Sequence, residues 1–427
     1  MPQPYAELKR RVEAAGLMRK RPGYYTLMLV TNAILFAGTL WIFTLVHSVW
    51  ATALVAAALA FVSGQLGFQL HDSGHRQMFS SRRLNTVVGI VTGNGLLGMS
   101  HGWWVDKHNR HHGNPNHVDL DPDIDIGVIA YSEEQAIAKR GVARWVVRHQ
   151  AGLFFLLLFG LAWAMHVNSV RFLVSTREKL RWVEVGALCF HALAYPTLLV
   201  LMVGPWRALL VFLVQKCVAG FYMASVFAPN HKGMPQIEAG EELDFLRTQV
   251  LTSRNVKSNP ITDLVYGSLN YQIEHHLFPT MPRCNIRRAH KIVRAYCAEV
   301  GVPYYETSIY RSYREILSFL HEVSATGHME PSSRFAGALK PSVAYLVLNF
   351  CALWKKQTTL PFLAYAGIPY QVVGVRSGAL ALTTAWIRLA RARSDSCISA
   401  IFARSSLSPP ALPAARRSSA FTSRARS

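Results

Sequence analysis

Three short runs carry the chemistry available to this chain: HDSGH at 71–75, HNRHH at 108–112 and QIEHH at 272–276. In the third run, Gln272, His275 and His276 repeat the spacing of His108, His111 and His112 in the second. Positions i, i+3 and i+4 of a helix share a face, so each of these runs aims two or three side chains at one point. His71 and His75, at i and i+4, do the same. Neutral imidazole is the commonest metal ligand in proteins, and so many imidazoles with few carboxylates suit iron, copper or zinc rather than magnesium or calcium. The residues therefore point to a multinuclear histidine metal site. The acidic run DLDPDID at 119–125 is expected to be a solvated turn, because Pro122 interrupts it and no Gly and Glu follow in the register of a calcium-binding loop.

The elements that must position these histidines are membrane segments. Apolar residues make up 51% of the 427-residue chain and charged residues only 16%, against roughly a quarter charged in soluble domains. The apolar runs 26–46, 51–70, 183–203 and 206–228 each approach the ~20 residues a spanning helix needs. Lys9, Arg10, Arg11, Arg19, Lys20 and Arg21 precede the first run and place its start in the cytoplasm. Trp41 and Trp50 are expected as interface anchors on the far side, and Gly204-Pro205 as a tight turn. The second run then delivers His71 at the membrane boundary. The Gly-rich segment 84–100, with Asn94 inside it, reads as buried or re-entrant. The run 152–165 is short. The second and third histidine runs must face the same side to share metals, so an even number of crossings separates them, and 152–165 is expected to lie in the interface or dip in and out. The fold class is thus all-α: a polytopic membrane protein with four transmembrane helices, interfacial helices and a cytoplasmic histidine-box domain.

Residues 1–25 form a basic cytoplasmic lead-in, 26–330 the catalytic body and 331–427 a basic low-complexity tail, expected to be disordered or non-native. That tail contributes +12 of the net charge of +21, so the basicity is not a nucleic-acid footprint. Cys189, Cys217, Cys284, Cys297, Cys351 and Cys397 are scattered without CxxC spacing, which argues against a disulfide framework, an iron–sulfur site or a zinc ribbon. No cleavable signal peptide is visible.

In its three ordered histidine runs the sequence resembles the membrane-bound fatty acid desaturases. The form NYQIEHHLFPTMPR is similar to the front-end and linoleoyl-CoA branch, in which Gln replaces the first His of the last run. Trp103-Trp104, Lys107, Asn109 and Asn230-His231 fit the same branch, and the resemblance covers roughly residues 20–325. It implies two iron ions, with dioxygen as co-substrate, held by His71, His75, His108, His111, His112, His275 and His276, and His231 by position as an additional ligand. Gln272 either binds through its amide oxygen, holds a water or orients Glu274. Many such enzymes carry a fused cytochrome b5-like domain with an HPGG motif, which has neither motif nor room before Thr26. Electrons are therefore expected from a separate donor protein, ferredoxin with its reductase ahead of a cytochrome b5-type carrier.

The chemistry fits the residues. An unactivated methylene offers no acidic proton to a general base, so removing two hydrogens calls for a metal-based oxidant, with the protein supplying ligation, orientation and exclusion of water. A long acyl chain in an apolar tunnel between the spans, its head at the cytoplasmic face, is the expected substrate. Asp72, Asp106, Asn230 and Glu274 lie beside the ligand positions and are candidates to accept the outward imidazole N–H bonds. Arg287, Arg288, Lys291 and Arg294 are candidates for the phosphates of acyl-CoA or a phospholipid, with anionic membrane lipid as the alternative. His47, His166 and His191 read as structural, and His117, His149, His290, His321 and His328 as solvated. Three other functions compete. A diiron hydroxylase or ketolase shares the hydrogen abstraction. A histidine-rich transporter or sensor would place ligands inside the spans. Nucleic-acid binding lacks a recognisable module. The expected location is an integral membrane, the cell membrane if the chain is bacterial.

Overall fold

Four helices carry the long apolar runs: Pro22–Ile42, Val49–Gly74, Arg181–Val203 and Pro205–His231, each long and apolar enough to cross a bilayer. The computed structural model describes residues 4–326, so the expectations for the tail at 331–427 lie outside the described residues. Proline at the first turn starts the first and fourth spanning helices, where its missing N–H costs nothing. Ser48 caps the second by accepting from Ala51 N. Gly204, at φ +79°, both ends the third helix and precedes the fourth, a backbone conformation open to glycine. Leu27, Leu54, Leu201, Trp41, Trp50 and Trp206 are exposed, as lipid-facing and interfacial side chains must be.

Length explains where the histidines emerge. The second spanning helix has 26 residues and the fourth 27. At 1.5 Å per residue each measures about 40 Å, longer than a hydrocarbon core of about 30 Å. The surplus turns carry His71 and His231 beyond the apolar layer.

Two apolar segments between the spans are not straight helices of spanning length. After the helix Arg82–Ile90 the chain forms a π-helix, Val91–Leu97, which Gly98 ends in the left-handed region. Buried Asn94 in this segment donates to the Glu184 carboxylate on the third spanning helix. Gln150–Leu158 and Leu161–Ser175 meet at 70°. The apolar run read at 152–165 thus straddles a sharp bend, with Gly160 at the corner.

The polar side of the spans is covered by shorter helices: His101–Gly113, Phe245–Leu251, Gln272–Leu277, Arg283–Glu299 and Ile309–Thr326. A two-residue parallel pairing, Asn255 opposite Glu306 and Val256 opposite Thr307, ties the segment before the third histidine run to the one before the last helix. The N-terminal segment is more than a basic lead-in. Pro4–Ala14 is a helix whose Leu8 and Val12 are fully buried in one core with Ile273 and Leu277 of the QIEHH helix and Val293 of the helix after it.

Candidate metal centre

Four separate elements deliver the histidines to one place. His71 and His75 come from the end of the second spanning helix, and His231 is the last residue of the fourth. His108, His111 and His112 ride on His101–Gly113, whose N-terminus is pinned twice. Ser100 accepts from Trp103 N at 3.0 Å, and Glu184, buried on the third spanning helix, accepts from Ser100 Oγ at 2.6 Å and from Gly102 N at 3.1 Å. Gln272, His275 and His276 share the six-residue helix Gln272–Leu277, all of it buried.

Two groups of ring nitrogens result: His71, His75, His108 and His275 in one, His111, His231 and His276 in the other, with the atoms of each group within 4.8 Å of one another. His112 lies between them, its Nε2 3.1 Å from His108 Nε2 and its ring stacked on His276 at 4.1 Å. Gln272 Nε2 lies 2.9 Å from His231 Nε2. The structure brings every expected ligand together. His101 is buried elsewhere, its backbone N–H bonded to Asn94 Oδ1.

The electrostatics favour the neutral, ligating form of imidazole. Burial, reinforced by neighbouring imidazoles, holds His75, His108, His112, His275 and His276 well below the usual histidine range. Neutral rings packed this way leave polar atoms poorly satisfied. Nε2 faces Nε2 in His71–His275 at 3.1 Å and in His111–His231 at 3.3 Å. Among the described residues, buried His75 Nε2, His276 Nε2 and His112 Nδ1 have no hydrogen-bond partner. Orphaned buried acceptors converging on common points are what a transition-metal pair of borderline softness satisfies, so the donor set fits the group.

The outer faces of the rings are held by a different set of residues from the one expected by adjacency. Asp72 Oδ1 lies 3.0 Å from His71 Nδ1, and its other oxygen accepts from buried Arg283 Nε at 2.7 Å. Asp121 Oδ1 lies 2.9 Å from His111 Nδ1, the Thr252 carbonyl 3.1 Å from His231 Nδ1, and Gln249 Oε1 2.8 Å from His276 Nδ1. The acidic run at 119–125 is therefore no solvated turn at its centre: Asp121 is buried, and Asp123 is paired with Lys107.

Three of the adjacent candidates contact other partners. Asp106, two residues before His108 and so on the opposite side of its helix, pairs with Arg110 in solvent. Asn230 donates to Gln272 Oε1 at 3.0 Å rather than meeting an imidazole. Glu274 faces away from the rings and accepts from Tyr304 OH at 2.6 Å and Asn255 Nδ2 at 2.8 Å, and among the described residues it has no hydrogen bond to Gln272. His290, expected in solvent, is half-buried and lies 2.9 Å from Tyr304 OH. Arg287, Arg288, Lys291 and Arg294 are exposed on Arg283–Glu299.

A cavity opens from the first group into the spans. Its walls are one face of the second spanning helix (Gly64, Gly67, His71) and one face of the fourth (Lys216, Ala219, Met223), with Trp104 beside the rings. Its wall near the rings is apolar.

Comparison with known proteins agrees with this architecture. The fatty acid desaturase family profile matches residues 48–308. The chain is 34% identical over 332 residues to the acyl-lipid (9-3)-desaturase of Physcomitrium patens, covering 75% of this chain and 62% of the moss protein. It is 30% identical to the delta(6)-fatty-acid desaturase fat-3 of Caenorhabditis elegans, covering 71% of each. It is 29% identical to the delta(8)-fatty-acid desaturase of Euglena gracilis, covering 77% of this chain and 81% of the other. The chain thus spans somewhat less than two thirds of the moss relative's length. With four apolar spans beneath converging histidines and this match across more than half its length, the chain belongs to the fatty acid desaturase family.

Proposed function

We propose that this chain is a membrane oxidoreductase that introduces a double bond into a long fatty acyl chain, carried as acyl-CoA or in a lipid. The observation that carries the reading is the junction of an apolar cavity between spanning helices with two buried groups of imidazoles. His71, His75, His108 and His275 would hold one iron, and His111, His231 and His276 the other. His112, whose ring lies between the two groups, would add a ligand to one of them, and Gln272 lies at the edge of the second group. Bound iron with dioxygen supplies the oxidising power that removal of two hydrogens from an unactivated methylene requires. The residues of the chain do the rest. Trp104 and the faces of the second and fourth spanning helices bind the hydrocarbon and exclude water. Asp72, Asp121, Gln249 and the Thr252 carbonyl fix which ring nitrogen carries the proton, leaving the other free to ligate.

The basic residues ahead of the first span orient the centre toward the cytoplasm, where a ferredoxin-type or cytochrome b5-type donor delivers electrons. Exposed Arg287, Arg288, Lys291 and Arg294 suit the phosphates of the acyl carrier. The test is gas chromatography of total fatty acids from a desaturase-deficient host expressing the chain or His111→Ala. The parent should yield a new unsaturated chain and the variant none at equal membrane abundance. A hydroxylated product, or an unchanged product from the variant, overturns the reading.

A further inference from the structure

The cavity has a second end, and its chemistry differs from that of the first. On the second spanning helix its lining descends from His71 to Ser63, eight residues and about two helical turns. On the fourth it descends from Phe227 to Lys216, about three turns. The deep end is where the polar side chains collect: Ser63, His166, Gln215 and Lys216.

These side chains form a bonded unit. His166 Nδ1 lies 2.5 Å from the Ala162 carbonyl, and its Nε2 lies 3.1 Å from the Leu97 carbonyl. Lys216 Nζ, 4% exposed, lies 2.9 Å from that Nε2 and donates to the Leu97 carbonyl at 3.3 Å. Leu97 ends the π-helix, so one side chain joins the fourth span, the bent pair and the π-helical segment. Beside it, Gln215 Nε2 donates to Ser63 Oγ at 2.9 Å, while Gln215 Oε1 is buried with no partner among the described residues. A hydrocarbon end reaching this level meets an ammonium and an unpaired carbonyl that it cannot satisfy, and it cannot push Lys216 aside without parting three elements of the fold.

Resting on the desaturase reading above, we propose that Lys216, braced by His166 and Leu97, is the floor of the acyl cavity and sets the longest chain segment admitted beyond the reacting carbon. Lys216 is a specificity-determining residue on this account, not a ligand-holding one.

The floor can be moved both ways. Lys216→Ala removes most of the four-carbon lysine stem and should lengthen the longest accepted chain by about three or four carbons. Ala219→Leu, on the same wall nearly one turn above, should shorten it. Lys216→Met keeps an apolar stem but loses the bonds to His166 and Leu97 that brace it, so its limit should fall between those of the parent and Lys216→Ala. The full chain in detergent is titrated with a homologous series of saturated acyl-CoAs, following thermal stabilisation. In parallel, cells are fed the matching fatty acids and products are read by gas chromatography. Limits that move in opposite directions for Lys216→Ala and Ala219→Leu support the floor; limits equal to the parent's, or moving the wrong way, overturn it. If one variant does not accumulate in membranes, the other decides. Binding limits that shift without any conversion by the parent leave the floor standing and sink the desaturase reading instead.

Discussion

The two imidazole groups are held in different ways. In the group of His111, His231 and His276, every ring has its Nδ1 against an oxygen: Asp121, the Thr252 carbonyl and Gln249. In the group of His71, His75, His108 and His275, only His71 has an oxygen acceptor among the described residues, Asp72. The other rings there are set by packing. Trp104 lies tilted on His108 with centroids 4.4 Å apart and meets His71 at 5.4 Å and His75 at 5.9 Å. The difference follows from what each group faces. His71 and Trp104 line the apolar cavity, where polar groups beside hydrocarbon would go unsatisfied. The second group faces the polar segments 116–121 and 249–255, which can supply acceptors without exposing them to the chain.

This contrast predicts unequal costs. Asp72→Ala should be the most damaging of the outer-contact substitutions, because it removes the one acceptor of the first group and also strands Arg283, buried and bonded to Asp72 at 2.7 Å. An uncompensated buried charge costs about 3–5 kcal/mol, so both the amount of folded protein in membranes and the iron bound per chain should fall. Asp121→Ala comes next. It deprives only His111 of its acceptor, together with the Asn116 and Asp123 backbone N–H groups at 2.8 Å each. Iron affinity should drop by about 10- to 100-fold with less loss of folded protein. Metal content of purified protein, set against its abundance, separates the two. Equal effects on both quantities would erase the distinction between the groups. Gln249→Leu is milder. His276 loses one neutral acceptor, and its stacking on His112 at 4.1 Å remains. Iron affinity should fall by about 10-fold, the lower end of the same range.

The convergence of the histidines was legible in the sequence because their spacing is local. Pairs at i, i+3 and i+4 converge whenever the segment is helical, and all three runs are. The spans were legible because apolar runs of about 20 residues have few other uses. The acceptors behind the rings were not, because they come from elsewhere in the chain. His111 and Asp121 are ten residues apart, and His276 and Gln249 are 27 apart, joined only by the fold. Reading by adjacency picked Asp106, Asn230 and Glu274, yet the helix that aims a histidine inward turns its neighbours by about 100° per residue. Only Asp72 reaches the ring beside it. The helical Pro4–Ala14 was hidden for a related reason: Leu8 and Val12 are two apolar positions in a basic segment, and their significance appears only against the QIEHH helix that they cover.

Asp106 supplies the control for all of these. It sits closer in sequence to His108 than Asp121 does to His111, and by charge alone the two carboxylates are interchangeable. Position separates them. Asp106 Oδ2 meets Arg110 at 3.0 Å with both side chains about half exposed, an i, i+4 pair contributing about 0.3–0.5 kcal/mol. Asp106→Ala should therefore leave iron content within measurement error of the parent and shift stability only slightly, while Asp121→Ala strips metal. A loss of iron from Asp106→Ala comparable to that from Asp121→Ala would mean that net negative charge near the second histidine run, rather than a directed bond to one ring nitrogen, is what holds the centre.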